Sequence, residues 1–352
     1  MKIFVSIVSY RDPLLVDTIN SLLETASGRH KITIGVFEQT VIENSLVTIN
    51  PHLVEHPQIR YKRIDPIYSE GVGWARAINA MQIEDEDLMY QIDSHMVFDN
   101  DWDRYLVNDW KKARDKVGHD RVIITGSCMN YSIENGSIHR HTTATAMTCK
   151  VKYFHYQDNS IIGAHGELIP ATKDVEPAIH ICAGNFLMPT KWVKEVGINH
   201  KVFFDGEEQL LVLSSLAKGY KLFHPRSLHC YHFVGSGNYV TKQWHEPIIT
   251  MDQYGAFVKR SIDQLTDFID NIDEDILEEY REWSGVDYIN ERLEPKAISK
   301  QMTVPDGVIE PFDAKKRRKL AASYQPQPSE LVIEEQLVSE ESPEEPETET
   351  DK

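Results

Sequence analysis

The sequence is poor in cysteine and has no long apolar run. Four cysteines occur in 352 residues, at positions 128, 149, 182 and 230, and they form neither a CxxC pair nor a disulfide framework. We therefore expect a reducing, cytoplasmic setting. No stretch of 18 apolar residues is present, which argues against a transmembrane helix and predicts no membrane partner.

Positive charge is also scarce. Lys and Arg number 37 against 55 Asp and Glu, which gives a net charge of −18 and argues against non-specific binding to nucleic acid or anionic membrane. Ten acidic residues and one Lys fall within residues 325–352. Such a segment cannot bury enough apolar surface to offset its ordering entropy, so we predict a disordered acidic tail there.

The order of hydrophobic patterns predicts an α/β fold. Apolar, β-rich runs at residues 3–9, 31–37, 59–64 and 87–92 indicate strands, with helical spacing at 14–23 and from 74. This order is typical of nucleotide-binding α/β folds. Later strands are predicted at 121–126, 180–188, 220–224 and 228–233, helices at 191–196 and 207–217, and hairpins and long loops over 131–178.

The same patterns predict the domain organisation. We expect one nucleotide-binding domain over residues 1–240, because the strand-rich pattern ends there. Residues 241–324 form a helical C-terminal extension, since the pattern at 248–293 is helical and acidic, and residues 325–352 form the tail. The helical C-terminal third is a candidate for homodimer formation.

A candidate metal site follows the fourth predicted strand. Asp93 and His95 stand at the carboxyl end of that strand, the edge where α/β sheets bind ligands. In extended chain, side chains two residues apart point the same way, so the two can converge on one ion. A carboxylate with an imidazole suits Mn²⁺. The alternative is a helix-capping Asp beside a surface histidine.

Three carboxylates surround Gly206 immediately before a predicted helix: Asp205, Glu207 and Glu208. Acidic residues belong at a helix N-terminus, where the helix dipole stabilises them. They are equally suited to hold sugar or acceptor hydroxyls, because ionised carboxylates only accept hydrogen bonds. The motif alone leaves both interpretations open.

Two further charged clusters have alternative interpretations. Of the three histidines at 224, 229 and 232, His229 and His232 cannot both face one side of a straight strand, so we expect only one to be a ligand. The basic run at 315–319 is typical of a nuclear-localisation or nucleic-acid patch, or of a solvated helix face that pairs with the acidic tail.

The order of these motifs resembles that of the GT-A glycosyltransferases. More specifically, the sequence resembles glycosyltransferase family 60, the cytoplasmic Skp1-type polypeptide N-acetylglucosaminyltransferases, and the resemblance covers about residues 3–235. It rests on these segments: SYRD at 9–12, GVGWAR at 71–76, QIDSHMVF at 91–98 with DWD at 101–103, CAGNF at 182–186, FFDGEE at 203–208, GY at 219–220 and YH at 231–232.

The resemblance implies a fold and a set of site residues. The fold is GT-A, a Rossmann-like, twisted, mostly parallel sheet that binds the nucleotide at its carboxyl edge. Asp93 and His95 would bind Mn²⁺ or Mg²⁺ together with His232, and Asp93 would also belong to the donor site. The remaining implied residues are Ser9, Tyr10 and Arg11 under the uridine, Arg76 near the diphosphate or donor sugar, and Asp205, Glu207 and Glu208 facing the donor sugar and the acceptor hydroxyl.

The implied activity is that of a metal-dependent, retaining glycosyltransferase. A hexosyl or pentosyl group, such as GlcNAc from UDP-GlcNAc, would pass to a hydroxyl, which in the family is a hydroxyproline on a protein. The metal and a cationic side chain would stabilise the departing diphosphate, which takes the acceptor proton, so no protein nucleophile is required. We expect acceptor selection to depend on residues 131–178.

Two other functions remain open. The first is a glycosyltransferase that modifies hydroxymethylated bases in DNA, as viral enzymes do; a basic groove would favour it, and the acidic body counts against it. The second is a non-catalytic sugar-binding or scaffold protein. The complete ligand set of Asp93, His95 and His232 argues against that reading.

Overall fold

The computed structural model describes residues 1–141, 147–156, 161–235, 251–298 and 310–311; the basic run at 315–319 and the acidic tail lie outside this range. The strands are β1 (Lys2–Tyr10), β2 (Lys31–Gln39), β3 (Ile59–Ile64), β4 (Leu88–Ile92), β5 (Met96–Phe98), β6 (Val122–Thr125), β7 (Met129–Glu134), β8 (Ser137–Arg140), β9 (Met147–Tyr156), β10 (Ile162–Pro170), β11 (Glu176–Pro177), β12 (Asn185–Pro189), β13 (Lys221–His224), β14 (Cys230–Phe233), β15 (Val286–Asp287), β16 (Arg292–Leu293) and β17 (Glu310–Pro311).

The helices alternate with these strands along the first two thirds of the chain and dominate after residue 250. They are α1 (Leu15–Thr25), α2 (Leu46–Ile49), α3 (Pro51–Val54), α4 (Val72–Ala80), α5 (Trp102–Val117), α6 (Lys191–Glu195), α7 (Glu207–Ala217), α8 (Met251–Asn271), α9 (Glu274–Ser284) and α10 (Pro295–Ile298). None of the helices described is long and apolar enough to cross a bilayer.

An eight-stranded sheet, in the order β11-β13-β6-β12-β4-β1-β2-β3, forms the centre of the fold. Strand β1 is parallel to β2 and β4, β2 is parallel to β3, and β6 is parallel to β13. Strand β12 runs antiparallel to β4 and β6, and β11 runs antiparallel to β13. The predicted α/β fold with a mostly parallel sheet is confirmed, because only β11 and β12 run against the common direction.

The central strands are apolar on both faces because helices cover both sides of the sheet. Val5 and Ile7 of β1 belong to the same buried cluster as Ile19 and Leu22 of α1. Phe4, which points to the opposite face, belongs to a second cluster that includes residues of α7. The continuous apolar run that predicted this strand therefore reflects a buried parallel sheet.

A smaller sheet has the strand order β5-β14-β7-β8. Its strand β5 follows β4 along the chain. Strand β14 is antiparallel to β5 and parallel to β7. The β9–β10 pair forms a separate antiparallel hairpin. Hairpins therefore occupy much of the polar region at 131–178, as the sequence predicted.

The C-terminal helices share a core with the large sheet. Leu265 of α8 and Leu277 and Tyr280 of α9 belong to the same buried cluster as Phe4. Helices α8 and α9 therefore pack against the sheet-bearing part of the chain. The division into residues 1–240, 241–324 and 325–352 remains a prediction.

A buried histidine at the end of β13 makes the stability of the fold depend on pH. His224 is 5% exposed, and its Nδ1 donates to the carbonyl oxygen of Thr125 at 3.1 Å. Burial lowers the pKa of His224 to about 4, and the hydrogen bond to Thr125 offsets only part of this effect. The folded protein therefore holds this ring neutral well below neutral pH.

Replacing His224 with glutamine should reduce the decrease in the free energy of unfolding between pH 7 and pH 4.5. The unfolded chain takes up this proton near pH 6.5 and the folded chain only near pH 4, so the free energy of unfolding falls as the pH drops through this window. Urea unfolding at both pH values should show the wild type losing about 2 kcal/mol more than His224→Gln. The exposed His119→Gln variant should keep the wild-type slope. Equal slopes in all three proteins would contradict the assignment.

Candidate functional site

Three metal-ligand side chains converge beyond the carboxyl end of β4. Asp93 and His95 lie in the bend that joins β4 to β5, and His232 lies on β14, where it pairs with Met96 of β5. The sequence predicts extended chain through residues 93–95. The structure has a bend there instead, and this bend still brings both side chains to His232.

The three ligand atoms form a compact cluster. The Nε2 atoms of His95 and His232 are 2.9 Å apart, and Nε2 of His232 is 3.4 Å from Oδ2 of Asp93. All three ligand atoms lie within 4.8 Å of one another. His229 lies outside this cluster, with its ring stacked on Tyr105 at a centroid distance of 4.2 Å.

Asp12, which the sequence analysis did not assign to the site, fixes the orientation of His95. Its Oδ2 lies 2.6 Å from Nδ1 of His95 and also accepts a hydrogen bond from Ser94 Oγ at 2.7 Å. The backbone N–H of Leu14 donates to the other oxygen of Asp12 at 2.9 Å. Because Asp12 accepts at Nδ1, the neutral His95 ring turns the lone pair of Nε2 toward the cluster. The SYRD motif contained this residue, but no local pattern pairs it with His95.

The chemistry of the cluster fits a divalent metal ion. Two imidazole nitrogens face each other across 2.9 Å with a carboxylate oxygen 3.4 Å from one of them. Neighbouring ligands of an ion bound at about 2.1 Å are separated by about 3 Å. Metal-binding histidines usually have a carboxylate hydrogen-bonded to their second ring nitrogen, as Asp12 is to Nδ1 of His95. Mixed nitrogen and oxygen donors suit Mn²⁺ better than Ca²⁺.

A buried arginine joins the cluster to the acidic turn before α7. Arg76 is 3% exposed; its guanidinium lies 3.3 Å from Oδ1 of Asp93 and forms an ion pair with Glu207. Burial alone would raise the pKa of Asp93, but the hydrogen bond from His232 and the charges of His232 and Arg76 hold it below its usual value. Asp93 is therefore ionised in the folded protein.

A glycine just before α4, Gly71, allows the start of this helix to pack closely against the acidic turn before α7. Gly71 has φ of +105°, and a Cβ there would lie 2.5 Å from Cα of Phe203. The backbone N–H of Val72 donates to the carbonyl oxygen of Phe203 at 2.8 Å. The GVGWAR and FFDGEE motifs, which are more than 120 residues apart in the sequence, are thus in direct contact.

The two glutamates at the start of α7 have different partners. Glu207 uses one oxygen for Arg76, and its Oε1 is buried with no partner among the described residues. Burial raises the pKa of Glu207, and Arg76 offsets part of that increase. Glu208 accepts from Nε2 of His180 and from the backbone N–H of Ala183, both at 2.9 Å. Burial opposes ionisation of Glu208, but His180 lowers its pKa below the usual value.

Asp205 is half-buried and stands just before these two residues, at the turn formed by Gly206 with φ of +81°. The structure therefore joins Arg76 to the metal-ligand cluster directly and Glu207 to it through Arg76, and Glu208 is the next residue along the chain. It places Asp205 at the same turn. His180 was not predicted as a site residue.

The residues predicted to bind the uridine lie at the carboxyl end of β1, the strand adjacent to β4 in the sheet. Ser9 is fully buried, and its Oγ has no hydrogen-bond partner among the described residues. Tyr10 is the last residue of β1, and Arg11 follows with φ of +49°. The N–H of Arg11 donates to the carbonyl oxygen of Gln39 at 3.1 Å. This turn leads directly into Asp12, which contacts His95, so Asp12 links the predicted nucleoside end to the metal-ligand cluster.

The CAGNF motif contributes close backbone packing. A Cβ at Gly184 would lie 2.2 Å from Oδ2 of Asp93, so only glycine leaves room for the Asp93 carboxylate. Asn185 accepts a hydrogen bond from the Tyr90 hydroxyl at 2.7 Å. Its amide donates to the carbonyl oxygen of Gly126, also at 2.7 Å. The motif therefore holds the β12 end against β4 and β6.

A family model described as Glycosyltransferase (GlcNAc) matches residues 2–56 and 48–246, which together make up more than half of the chain. The chain belongs to this glycosyltransferase family. The prediction that it is a glycosyltransferase is thereby confirmed, and the matched range includes every site residue discussed above. No curated protein matches the chain.

The chain is similar to two solved glycosyltransferase structures. GalNAc-T7 with UDP, GalNAc and Mn²⁺ matches 80% of this chain at 15% identity and a TM-score of 0.54. The match covers 54% of that chain, so this chain spans about half the length of GalNAc-T7. S. aureus TarS 1–349 in complex with UDP-GlcNAc matches 92% of this chain and 91% of its own at 11% identity and a TM-score of 0.43. The similarity to GalNAc-T7 confirms the predicted GT-A glycosyltransferase fold.

Replacing Asp12 with asparagine should weaken Mn²⁺ binding by about 10- to 100-fold, because the carboxylate that orients His95 would be lost. Titration of Mn²⁺ monitored by electron paramagnetic resonance measures this affinity without any turnover. The Asp17→Asn variant, which removes a carboxylate from the first turn of α1, is the matched control and should bind Mn²⁺ like the wild type. Unchanged affinity in Asp12→Asn would show that Asp12 does not position a metal ligand.

Proposed function

We propose that this glycosyltransferase transfers a sugar from a UDP-sugar, such as UDP-GlcNAc, to a hydroxyl group in a metal-dependent reaction. The cluster of Asp93, His95 and His232 beside the buried Arg76 is the observation that carries this proposal. UDP-sugars are suggested by GalNAc-T7, whose structure contains UDP, GalNAc and Mn²⁺, and the resemblance to family 60 suggests a protein acceptor. The four free thiols suit a reducing, cytoplasmic setting.

The balance of charge supports a bound divalent ion. Arg76 is in contact with the cluster, and its positive charge already pairs with Asp93 and Glu207. Its positive charge is therefore offset before any substrate arrives. A nucleoside diphosphate would add further negative charge to this buried region, where unpaired charges are costly. A divalent ion held by Asp93, His95 and His232 would supply the missing positive charge.

The residues around the ion have separate proposed roles. When bound, the ion would stabilise negative charge on the departing diphosphate as a Lewis acid. Arg76 adds a fixed positive charge at the same place, and Ser9, Tyr10 and Arg11 hold the uridine at the end of β1. Glu207 can accept a hydrogen bond from a sugar hydroxyl at Oε1, which has no partner among the described residues.

The proposed reaction breaks the bond between the anomeric carbon and the diphosphate oxygen. Asp205 and Glu208 lie at the same turn as Glu207 and face the donor sugar and the acceptor hydroxyl in the proposed arrangement. Retention of configuration follows if the acceptor attacks from the face that the diphosphate leaves, with the diphosphate taking the acceptor proton. Such a reaction needs no protein nucleophile.

Replacing His232 with alanine should reduce the rate of Mn²⁺-dependent release of UDP from a UDP-sugar by more than about 100-fold. The variant lacks one metal ligand, so the positive charge of the ion at the leaving group is lost. Slow hydrolysis of UDP-GlcNAc, UDP-Glc, UDP-Gal and UDP-Xyl, with Mn²⁺ or with chelator, is the measurement. Asp93→Asn should behave in the same way.

The matched control is His229→Ala, because His229 lies three residues away but stacks on Tyr105 outside the cluster. It should retain UDP release within about threefold of wild type. Release that persists in chelator would contradict the metal-dependent mechanism. Release from no donor, together with no nucleotide binding, would contradict the proposed donor class. Transfer to a hydroxymethylated DNA oligonucleotide in preference to a hydroxyproline peptide would favour the DNA acceptor.

A further inference from the structure

Arg260 of α8 joins two chain segments that are distant in the sequence. Its Nη1 donates to Oε2 of Glu70 at 2.8 Å, and its Nη2 donates to the backbone carbonyl oxygen of the same residue at 2.9 Å. Its Nε donates to the carbonyl oxygen of Lys201 at 3.0 Å. The Arg260 side chain is only 16% exposed. Because the guanidinium is planar and rigid, its three donors hold the two segments at a fixed separation.

Both segments lead into side chains of the candidate site. Glu70 stands two residues before the start of α4, the helix that carries Arg76. Lys201 precedes the acidic turn before α7, where Glu207 is the first helical residue. Arg76 pairs with Glu207 and also contacts Asp93 of the metal-ligand cluster. The position of the Arg76 guanidinium therefore depends on how closely these two segments approach each other.

Ser261, the next residue of α8, contacts the same junction. It is fully buried, and its Oγ accepts a hydrogen bond from the backbone N–H of Phe203. The carbonyl oxygen of Phe203 accepts from the N–H of Val72, in the first turn of α4, at 2.8 Å. The Phe203 ring stacks on Phe257 of α8 with a centroid distance of 5.1 Å. Phe203 is thus bonded to α8 through its N–H and to α4 through its carbonyl oxygen.

The metal ligands depend on other contacts. Asp12 orients His95, and pairing of β14 with β5 places His232. Loss of the Arg260 contacts should therefore displace Arg76 and leave the metal-ligand cluster assembled. Stabilisation of a developing charge depends on the exact position of the group that provides it. A displacement of about 1 Å can lower a rate by about 100-fold.

We propose that Arg260 is a positioning residue of the transferase reaction. It acts through Arg76, by holding the start of α4 against the acidic turn before α7. The inference rests on the proposed function, in which Arg76 stabilises the departing diphosphate. Helix α8 begins at Met251, beyond the range that the family model matches. The reaction therefore depends on a helix from the C-terminal third of the chain.

Replacing Arg260 with lysine should lower kcat for Mn²⁺-dependent UDP release about tenfold and change KM for the UDP-sugar by less than about threefold. The charge is kept, but one ammonium cannot reproduce the planar arrangement of three donors. Arg281→Lys is the matched control, because Arg281 pairs with Glu278 and Glu294 elsewhere in the C-terminal part of the chain. It should keep kcat within about threefold of wild type. Electron paramagnetic resonance should show wild-type Mn²⁺ affinity in both variants.

A double-variant cycle separates positioning from a general loss of structure. If Arg260 acts through Arg76, Arg260→Lys should lower kcat by less than about twofold in an Arg76→Gln background. Hydrogen exchange adds a readout that needs no turnover. The N–H of Val72 should exchange faster in Arg260→Lys than in the wild type or in Arg281→Lys, whereas the amides of β1 should exchange at the wild-type rate in all three.

A wild-type kcat in Arg260→Lys, or a tenfold loss that persists in the Arg76→Gln background, would overturn this assignment and leave the proposed function intact. Circular dichroism of each variant detects unfolding. If Arg260→Lys does not fold, Ser261→Ala, which removes the acceptor for the Phe203 N–H, repeats the test with the same expected results. If the wild-type protein releases UDP from no UDP-sugar, the proposed function fails and the role of Arg260 in the reaction fails with it.

Discussion

The site is organised around closely spaced negative charge. Glu207 is buried, Asp93 and Glu208 are half-buried, and Arg76 is in contact with Asp93 and Glu207. Carboxylates at this density repel one another and lose hydration, so they remain ionised only if positive charge compensates them. Arg76 supplies part of that positive charge in the folded chain, and Nε2 of His180 donates a hydrogen bond to Glu208. A divalent ion bound by the facing Nε2 atoms of His95 and His232 would supply the remaining positive charge.

The rest of the fold holds these groups at close range. Pairing of β14 with β5 brings His232 to the bend after β4, although the two segments are more than 130 residues apart. The contact of Gly71 with Phe203 brings α4, and with it Arg76, to the start of α7. Gly184 leaves room for the Asp93 carboxylate. The second and third of these approaches fail if a side chain replaces the glycine, which explains Gly71 of the GVGWAR motif and Gly184 of the CAGNF motif in physical terms.

The secondary structure that depends on apolar periodicity was predictable from the sequence. The strand at 59–64 and the helix at 207–217 have the predicted bounds, because their burial patterns are simple. Helix α5 was not predicted, since two of its buried residues are acidic. Asp103 accepts from Ser27, and Asp109 pairs with Arg226, so both satisfy their charges inside the protein. A polarity pattern counts such residues as exposed.

The composition of the site was only partly predictable. Asp93, His95 and His232 could be grouped because their motifs appear in a familiar order, and the structure brings the three together. The roles of Asp12 and His180 depend on contacts across 83 and 28 residues of sequence, which no local spacing reveals. The bend at residues 93–95 shows the same limit, since the side chains converge through a turn and not through an extended strand.

The most direct test of the metal-ligand cluster is a crystal structure of the protein with Mn²⁺ and UDP, with diffraction data collected at the manganese absorption edge. The account predicts one anomalous peak at about 2.1–2.3 Å from Nε2 of His95, Nε2 of His232 and a carboxylate oxygen of Asp93, in contact with the diphosphate. A diphosphate bound at Arg76 with no anomalous peak between these three side chains would contradict it.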